Sequence, residues 1–305
     1  MPAYLRPTTL KAALAALAEA RRGAGSDARQ PLTVLTGATD IYPARAARQA
    51  WLQPFPRDFL DITHIPELSG IRKDGRATVI GAATSWTAIA EAPLPAAFDA
   101  LKQAALQIGG RQIQNRGTLG GNIVNASPAA DGVPPLLALD AEVEIASAQE
   151  RRSVPLASFI RGNRKTELAS DELVVAIRVP AHRESARSLF LKLGARSHLV
   201  ISIASVALLL DKDDDGGIAD IRVAVGACSD RPARLAALEA ELRGEMPAAR
   251  LLDRVTSRII EPLTPIDDIR ASAAYRREAA RILVRRALAE LLGFSDLSEK
   301  APVAA

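Results

Sequence analysis

The sequence predicts an α+β protein in which two small α/β units precede a C-terminal domain made of a three-stranded antiparallel sheet and helices. Three observations favour this fold class. Short strand-like apolar runs alternate with runs of helical spacing through the first 180 residues. Three longer β-rich runs then follow one another with turn residues between them, at 190–193, 201–210 and 218–225. Helical spacing returns after Pro232, so the last part of the chain combines a sheet with helices.

The first unit opens with a predicted amphipathic helix over residues 8–22. Leucines recur there at helical spacing, Thr8 or Thr9 can serve as the N-cap, and Gly23 and Gly25 mark the end. The other elements predicted for this part of the chain are a strand at 32–35, a helix at 41–49 and a strand at 59–62.

The second unit is predicted to contain a strand at 78–83 and a short helix that Ser85 caps and that ends at Glu91. Its further elements are a helix at 95–108, a short helical piece at 133–139 and a strand at 142–147. The C-terminal helices are expected at 235–242, 248–260 and 273–292. We divide the chain into a first subdomain at 1–56, a second at 57–182, a C-terminal domain at 183–294 and a flexible tail at 295–305.

Composition limits the functions that this chain can have. No apolar run approaches the roughly 20 residues that span a bilayer, and the N-terminus lacks the pattern of a secretory signal, so a cytoplasmic protein without a membrane span is expected. The 39 basic and 35 acidic residues are interspersed and only 4% of residues are aromatic, which disfavours nucleic-acid binding. The single cysteine, Cys228, excludes an intrachain disulfide and a cysteine-ligated cluster, so any metal cluster belongs to a partner.

Neither a metal site nor a catalytic side chain is predicted. The acidic run at 211–216 matches the first half of an EF-hand loop, but Arg222 stands where a bidentate acid is required, so a hairpin tip is favoured. The three histidines lie far apart without ligand spacing. Ser197 and His198 are adjacent rather than opposed, which gives nucleophilic catalysis no support.

The most informative segment spans residues 109–131. Between Arg116 and Asp131 it concentrates glycine, threonine, asparagine and serine and contains no charged residue. Glycines let backbone N–H groups approach an anion, so this composition predicts a phosphate-holding loop. It is neither a Walker A loop nor a G-x-G-x-x-G fingerprint after a strand. A shorter segment of similar character at 36–40 suggests that a pyrophosphate is held from both sides.

The segment Arg-Gly-Thr-Leu-Gly-Gly-Asn-Ile-Val-Asn-Ala-Ser-Pro-Ala-Ala-Asp, 116–131, resembles the second FAD loop of the flavoprotein subunits of molybdenum hydroxylases, the xanthine dehydrogenase and carbon monoxide dehydrogenase family. Thr-Gly-Ala-Thr-Asp at 36–40 stands where that family has its first FAD loop. The resemblance covers nearly the whole chain and continues at 60–62, 65–68, 80–82, 190–192, 265–268 and 275–276. Residues 162–166 are similar to a segment of xanthine dehydrogenase-like members.

The resemblance implies FAD as the cofactor and supplies a set of site residues. Those that would lie against one side of the pyrophosphate are Gly37, Ala38, Thr39 and Asp40. Those that would hold the other side are Thr118, Gly120, Gly121 and Asn122, with Asn125 nearby. Asp131 would lie near the ribityl and phosphate region, Lys192 near the isoalloxazine, and Val175 in a wall of the ring. Ala38 replaces the usual glycine at a position that normally allows positive φ.

The implied function is that of an oxidoreductase subunit. FAD here would take electrons from [2Fe–2S] clusters of a small partner subunit, after substrate oxidation at a molybdenum cofactor in a large subunit, and pass them to NAD⁺, oxygen or a quinone. A heterotrimer, which could itself be dimerised, is expected. Two alternatives are a stand-alone flavin oxidoreductase and a non-catalytic FAD-binding docking protein. No His, Tyr or Cys cluster offers a substrate base for the former, and co-purification with a molybdenum subunit would separate these alternatives.

Overall fold

The first unit is a three-stranded parallel sheet with one closely packed helix. The computed structural model describes residues 3–23, 32–53, 55 and 57–294, so Gly25 and the predicted tail at 295–305 lie outside the described residues. The elements of this unit are β1 (Tyr4–Leu5), α1 (Leu10–Gly23), β2 (Thr33–Leu35), α2 (Ile41–Ala50) and β3 (Phe59–Asp61). Both β1 and β2 pair with β3 in parallel. Sheet pairing thus carries the unit beyond residue 56, and the division at that point stays a prediction.

The two helices of the first unit differ in how they pack. Leu10, Leu14 and Leu17 recur on one face of α1 and are buried against Leu60 of β3, which confirms the predicted amphipathic helix. In contrast, α2 has no buried residue and lies at the surface directly after the first glycine segment. Helix α1 therefore supports the sheet, whereas α2 lies exposed beside the first glycine segment.

The second unit is a five-stranded antiparallel sheet with helices on one face. Its strands are β4 (Ile71–Asp74), β5 (Ala77–Gly81), β6 (Glu142–Ala146), β7 (Arg151–Pro155), β8 (Ile160–Gly162), β9 (Lys165–Thr166) and β10 (Leu173–Val179). Its helices are α3 (Trp86–Glu91), α4 (Asp99–Gln107), α5 (Arg111–Arg116), α6 (Leu119–Asn125), α7 (Val133–Ala138) and α8 (Leu156–Phe159), with 3₁₀ turns at Pro66–Leu68 and Ala96–Phe98. The sheet order is β4–β5–β10–β6–β7, and β8 pairs with β9.

The C-terminal domain sets its sheet between two layers of helices. Its elements are β11 (Arg187–Leu193), β12 (Ala204–Lys212), β13 (Ile218–Gly226), β14 (Ala233–Arg234), α9 (Ala236–Leu242), α10 (Ser257–Ile260) and α11 (Ala273–Leu292). Alternate residues of β12 face the core of the second unit and the core under α9 and α11. Because both faces are covered, the central strand β12 is apolar along most of its length.

The sequence expectations for this domain are largely confirmed. The three predicted strands are present, and the two-residue strand β14 extends them to a four-stranded sheet. The helix at 273–292 has the predicted bounds. The predicted helix at 248–260 is wrong as a single element, because the chain leaves helical backbone angles at Val255 and Thr256 and forms a 3₁₀ turn at Ala249–Arg254 before α10.

Candidate cofactor site

The two glycine-rich segments pack directly on each other. A Cβ atom built on Gly37 would overlap the carbonyl oxygen of Arg116 and would lie 3.0 Å from the Cα atom of Gly117. Beside this contact, the hydroxyl groups of Thr36 and Thr118 are 3.0 Å apart and share a hydrogen bond. Only glycine fits at position 37, because any side chain would push the two segments apart. We call residues 36–39 and 118–121 the glycine cradle.

The second segment is helical rather than a continuous loop. It forms α5 and α6, and Thr118 between them caps α6, its Oγ1 accepting a hydrogen bond of 3.2 Å from the N–H of Gly121. The loop predicted over 109–131 is therefore wrong in its local structure. The glycines that suggested a loop instead lie in the first turn of a helix, whose backbone N–H groups from Leu119 to Asn122 all donate to oxygen atoms of this chain.

The two glycines of α6 serve different purposes. The N–H of Gly120 donates to the carbonyl oxygen of Ala82 at 2.8 Å, and a Cβ on Gly120 would lie 2.7 Å from the Cβ of Ala82. Gly120 thus lets α6 lie close to the chain that leaves β5. Gly121 is exposed, and its added Cβ would meet the hydroxyl oxygen of Thr118 at 2.9 Å. Its lack of a side chain keeps the first turn of α6 open on the cradle side.

The first segment presents unpaired backbone donors. Among the described residues, no group accepts a hydrogen bond from the backbone N–H of Gly37, Ala38 or Thr39. Ala38 is buried and has a φ of 58°, in the left-handed region that residues with a Cβ rarely adopt. Left-handed residues help successive N–H groups to form an anion-binding concavity. These three donors fit an anion such as a phosphate group, and the first turn of α6 lies beside them.

Asp40 and Asn125 join the two segments through their side chains. The Nδ2 atom of Asn125 donates to Oδ2 of Asp40 at 3.2 Å, and the guanidinium of Arg164 donates to Oδ1 of Asn125. Arg164 itself has a φ of 58° and its N–H donates to the carbonyl oxygen of Ala126. The carboxylate of Asp40 therefore holds Asn125, and it offers no donor to a phosphate. Arg164 was seen in the sequence only as part of the resembling segment 162–166.

Asn122 lies on the first turn of α6 with one polar atom unused. Its Oδ1 is buried and has no hydrogen-bond partner among the described residues. A Cβ built on Gly132 would lie 2.8 Å from this oxygen, so Asn122 faces the turn that carries Asp131. An unpaired buried acceptor is costly in a native structure. This oxygen is suited to accept a hydrogen bond from a ligand hydroxyl.

Asp131 and Lys192 form a buried ion pair beside the cradle. The Nζ atom of Lys192 lies 2.7 Å from Oδ2 of Asp131, and the two side chains are 7% and 6% exposed. The hydroxyl of Ser202 donates to the other carboxylate oxygen at 2.5 Å. We call Asp131, Lys192 and Ser202 the charge cluster. The sequence indicates Asp131 and Lys192 separately as site residues. It predicts neither their pairing nor the contact with Ser202.

Val175 lies apart from these side-chain contacts. It is buried in the apolar core that the first unit shares with β10, next to residues such as Leu10, and it borders a cavity of about 380 Å³ with Pro66 and Arg72. Its carbonyl oxygen accepts from the N–H of Ala82, which links β10 to the cradle through the backbone alone. A part for Val175 in a ring wall stays a prediction, and these contacts do not favour it.

Two ionisable side chains outside this site, His182 and Cys228, are buried and have shifted pKa values. Burial lowers the pKa of His182, which lies 3.3 Å from the carbonyl oxygen of Leu139, and burial raises the pKa of the Cys228 thiol to about 12. Among the residues that the structure describes, no group of three His, Cys, Asp or Glu side chains is arranged to hold a metal ion. In the same part of the chain, no helix is both long and apolar enough to cross a membrane.

The cradle fits a phosphate group of a dinucleotide cofactor, and two family models identify that cofactor as FAD. A family model for the FAD-binding domain of molybdopterin dehydrogenases matches residues 1–182, and one for the C-terminal domain of CO dehydrogenase flavoproteins matches residues 190–291. The chain belongs to the family of FAD-binding subunits of molybdopterin dehydrogenases, which confirms the resemblance seen in the sequence.

Individual relatives agree with this assignment over 77% to 96% of the chain. The glyceraldehyde dehydrogenase medium chain of Sulfolobus acidocaldarius is 30% identical over 289 residues, 94% of this chain and 97% of the relative. The xanthine dehydrogenase FAD-binding subunit of Escherichia coli O157:H7 is 31% identical over 77% of this chain and 81% of its own. A carbon monoxide dehydrogenase structure from Hydrogenophaga pseudoflava superposes with a TM-score of 0.84 at 29% identity, covering 96% and 98% of the two chains.

Proposed function

We propose that this chain is the electron-transfer subunit of a cytoplasmic molybdenum hydroxylase assembly. Within it, the chain would bind FAD between the glycine cradle and the charge cluster. The observation that carries the proposal is the direct backbone packing at Gly37, which places unpaired N–H groups of one segment beside the first turn of α6. Such a concavity of N–H groups is suited to an anion that is held between two segments of the chain.

The residues of this chain would bind and orient the cofactor. Backbone donors at Gly37, Ala38 and Thr39 would face one side of the pyrophosphate and the first turn of α6 the other. The unpaired Oδ1 of Asn122 would accept from a ribityl hydroxyl. Asp40 would keep Asn125 in place between the segments. Lys192, paired with Asp131, would lie by the flavin ring and set the local charge there.

When bound, FAD would supply two-electron redox chemistry, taking electrons from [2Fe–2S] clusters of a small subunit and giving them to NAD⁺, oxygen or a quinone. The relatives are described as medium chains and FAD-binding subunits, which supports an assembly with separate partner subunits. A large partner subunit would hold the molybdenum cofactor. This chain would thus be the place where electrons leave the assembly.

The proposal is tested by purifying the affinity-tagged chain from its own host and measuring what comes with it. We expect two partner chains, molybdenum and iron in the purified assembly, and a flavin that becomes reduced when the partners are reduced. A chain that purifies alone and oxidises an organic compound through its own FAD would instead be a stand-alone flavin enzyme. A partner complex without FAD would contradict the proposal and favour a docking role.

A further inference from the structure

Ser202 occupies the junction between the charge cluster and the C-terminal domain. Its side chain is fully buried, and its hydroxyl donates to Oδ1 of Asp131 at 2.5 Å. The second oxygen of Asp131 accepts from Lys192 at 2.7 Å. Each carboxylate oxygen therefore has its own donor. Because a hydrogen bond to a charged group is stronger than one between neutral groups, the serine fixes the direction in which this carboxylate points.

Two arginines hold the backbone at Ser202 and Ile203 through hydrogen bonds. Arg270 donates to the carbonyl oxygen of Ser202 at 3.2 Å, and the buried Arg276 donates to that of Ile203 at 2.8 Å. Both guanidinium groups contact the carboxylate of Asp268 at 2.6 Å. The hydrogen bond from Arg270 holds the pKa of Asp268 well below its usual range. Ser202 is thus attached to the start of α11 as well as to Asp131.

Lys192 has donors in excess of the contacts that hold it. Its ammonium group reaches Asp131 and, at 3.4 Å, the carbonyl oxygen of Gln107. An ammonium group carries three N–H donors, so one remains for a ligand at this site. The direction of that donor depends on Asp131, whose own direction depends on Ser202.

We propose that Ser202 is a positioning residue that fixes Asp131, and through Asp131 the ammonium group of Lys192, against the bound flavin. The proposal rests on the proposed function, because it requires FAD in this site. Without the serine hydroxyl, Asp131 has one donor fewer, and the nearest replacement is the ammonium group of Lys192. That group then turns toward Asp131 and away from the ring. The reduced flavin consequently loses a favourable interaction with positive charge.

The test is the midpoint potential of the bound flavin in Ser202→Ala, measured on the purified assembly. We expect the potential to fall by about 30 mV, which is about a tenfold change in the equilibrium constant of a two-electron couple. FAD content is measured beside the potential, and potentials are compared between fully loaded proteins. A merely structural role would change stability and leave the potential unchanged.

The matched control is Ser205→Ala on β12. The hydroxyl of Ser205 is also buried, but it has no hydrogen-bond partner among the described residues. Its removal is therefore expected to leave the flavin potential at the wild-type value. Ser202→Cys keeps the shape of serine with a larger sulfur atom and only a weak donor, so it should shift the potential in the same direction and provides the measurement should Ser202→Ala fail to fold.

Two results would overturn the positioning role: a wild-type potential in both Ser202 variants, or an equal shift in Ser205→Ala. A wild-type assembly that contains no FAD would overturn the proposed function itself, and this proposal with it. The two failures are distinguishable, because FAD content is measured on the wild-type protein before any potential is compared.

Discussion

The glycine cradle and the charge cluster lie side by side and are built by opposite physical means. The cradle depends on missing side chains, since Gly37 lies against the backbone at Arg116 and Gly117. The charge cluster depends on side chains that satisfy one another in a nearly dry environment, as the ion pair of Asp131 and Lys192 shows. Added volume should therefore damage the first region, and a lost partner should damage the second.

The largest effect is expected from adding one methyl group to the cradle. In Gly37→Ala the new Cβ would overlap the carbonyl oxygen of Arg116, a backbone atom that cannot turn aside. We expect a loss of at least about 4 kcal/mol in the free energy of unfolding, or no soluble protein, because such clashes belong to the exceptional class of substitutions. Urea denaturation measures this loss.

Gly121→Ala provides the contrast within the cradle. There the added Cβ meets only side-chain atoms, the hydroxyl oxygens of Thr118 at 2.9 Å and of Thr36 at 3.4 Å, and these side chains can rotate. Rotation of Thr118 gives up its cap on α6, so this variant should lose about 1 kcal/mol, far less than Gly37→Ala. Equal losses in the two variants would show that the packing of the two segments is not what makes position 37 special.

The next effect tests the anchor of the charge cluster. Arg276→Met removes a guanidinium group that is 1% exposed and leaves the carboxylate of Asp268 with Arg270 alone. Its removal also leaves the buried carbonyl oxygens of Ile203 and Ala227 without this donor. An unsatisfied buried acceptor costs about 1–3 kcal/mol, and we expect a loss in this range by urea denaturation. Methionine retains most of the side-chain volume, so the loss reports the polar contacts.

Arg281→Met on the same helix is the matched control. Arg281 pairs with Glu278 one turn away, and the carboxylate partner is 53% exposed. Exposed pairs contribute about 0–1 kcal/mol, so this variant should be close to wild type. Similar losses for the two arginines would mean that α11 is sensitive to any arginine replacement and that the anchor has no particular role.

The smallest effect on the free energy of unfolding is expected from relieving the backbone strain at Ala38 in the cradle. Ala38 has a φ of 58°, where a residue with a Cβ is disfavoured by about 1–2 kcal/mol. Glycine removes this strain but gains about 0.4–1 kcal/mol of freedom in the unfolded chain. Ala38→Gly should therefore raise the unfolding free energy by up to about 1 kcal/mol. The exposed Ala12→Gly in α1 should change it by a similar amount in the opposite direction.

The two regions also differ in how far the sequence reveals them. The cradle could be predicted because glycines and small polar residues are concentrated in two short segments. A helix start such as the one at Ser85 is equally local, because it depends on N-cap chemistry. The charge cluster could not, because Lys192 and Ser202 lie 61 and 71 residues from Asp131 in the chain. No local pattern carries such a pairing. The antiparallel pairing of β11 with β12 brings Lys192 near Ser202, and Asp131 meets them from the turn before α7.

The edges of the second sheet were missed for a related reason. The strands β4 and β7 are mostly exposed and polar, so they lack the apolar alternation from which strands are predicted. Their hydrogen-bonding partners β5 and β6 determine their conformation. The glycine content of α6 likewise predicts a loop. Its helical form depends on the cap at Thr118 and on contact with Ala82, which the local sequence does not reveal.

The central claim is that the cradle holds FAD, and the most direct measurement is the molar ratio of acid-released FAD to purified chain in three proteins. We expect equimolar FAD in the wild type and in Val124→Ala, a surface change on the same short helix. Gly121→Val should lose FAD, because its branched side chain would occupy the open side of the first turn of α6, while its unfolding midpoint stays near that of the FAD-free wild type. Full FAD content in Gly121→Val, or none in the wild type, would contradict the claim.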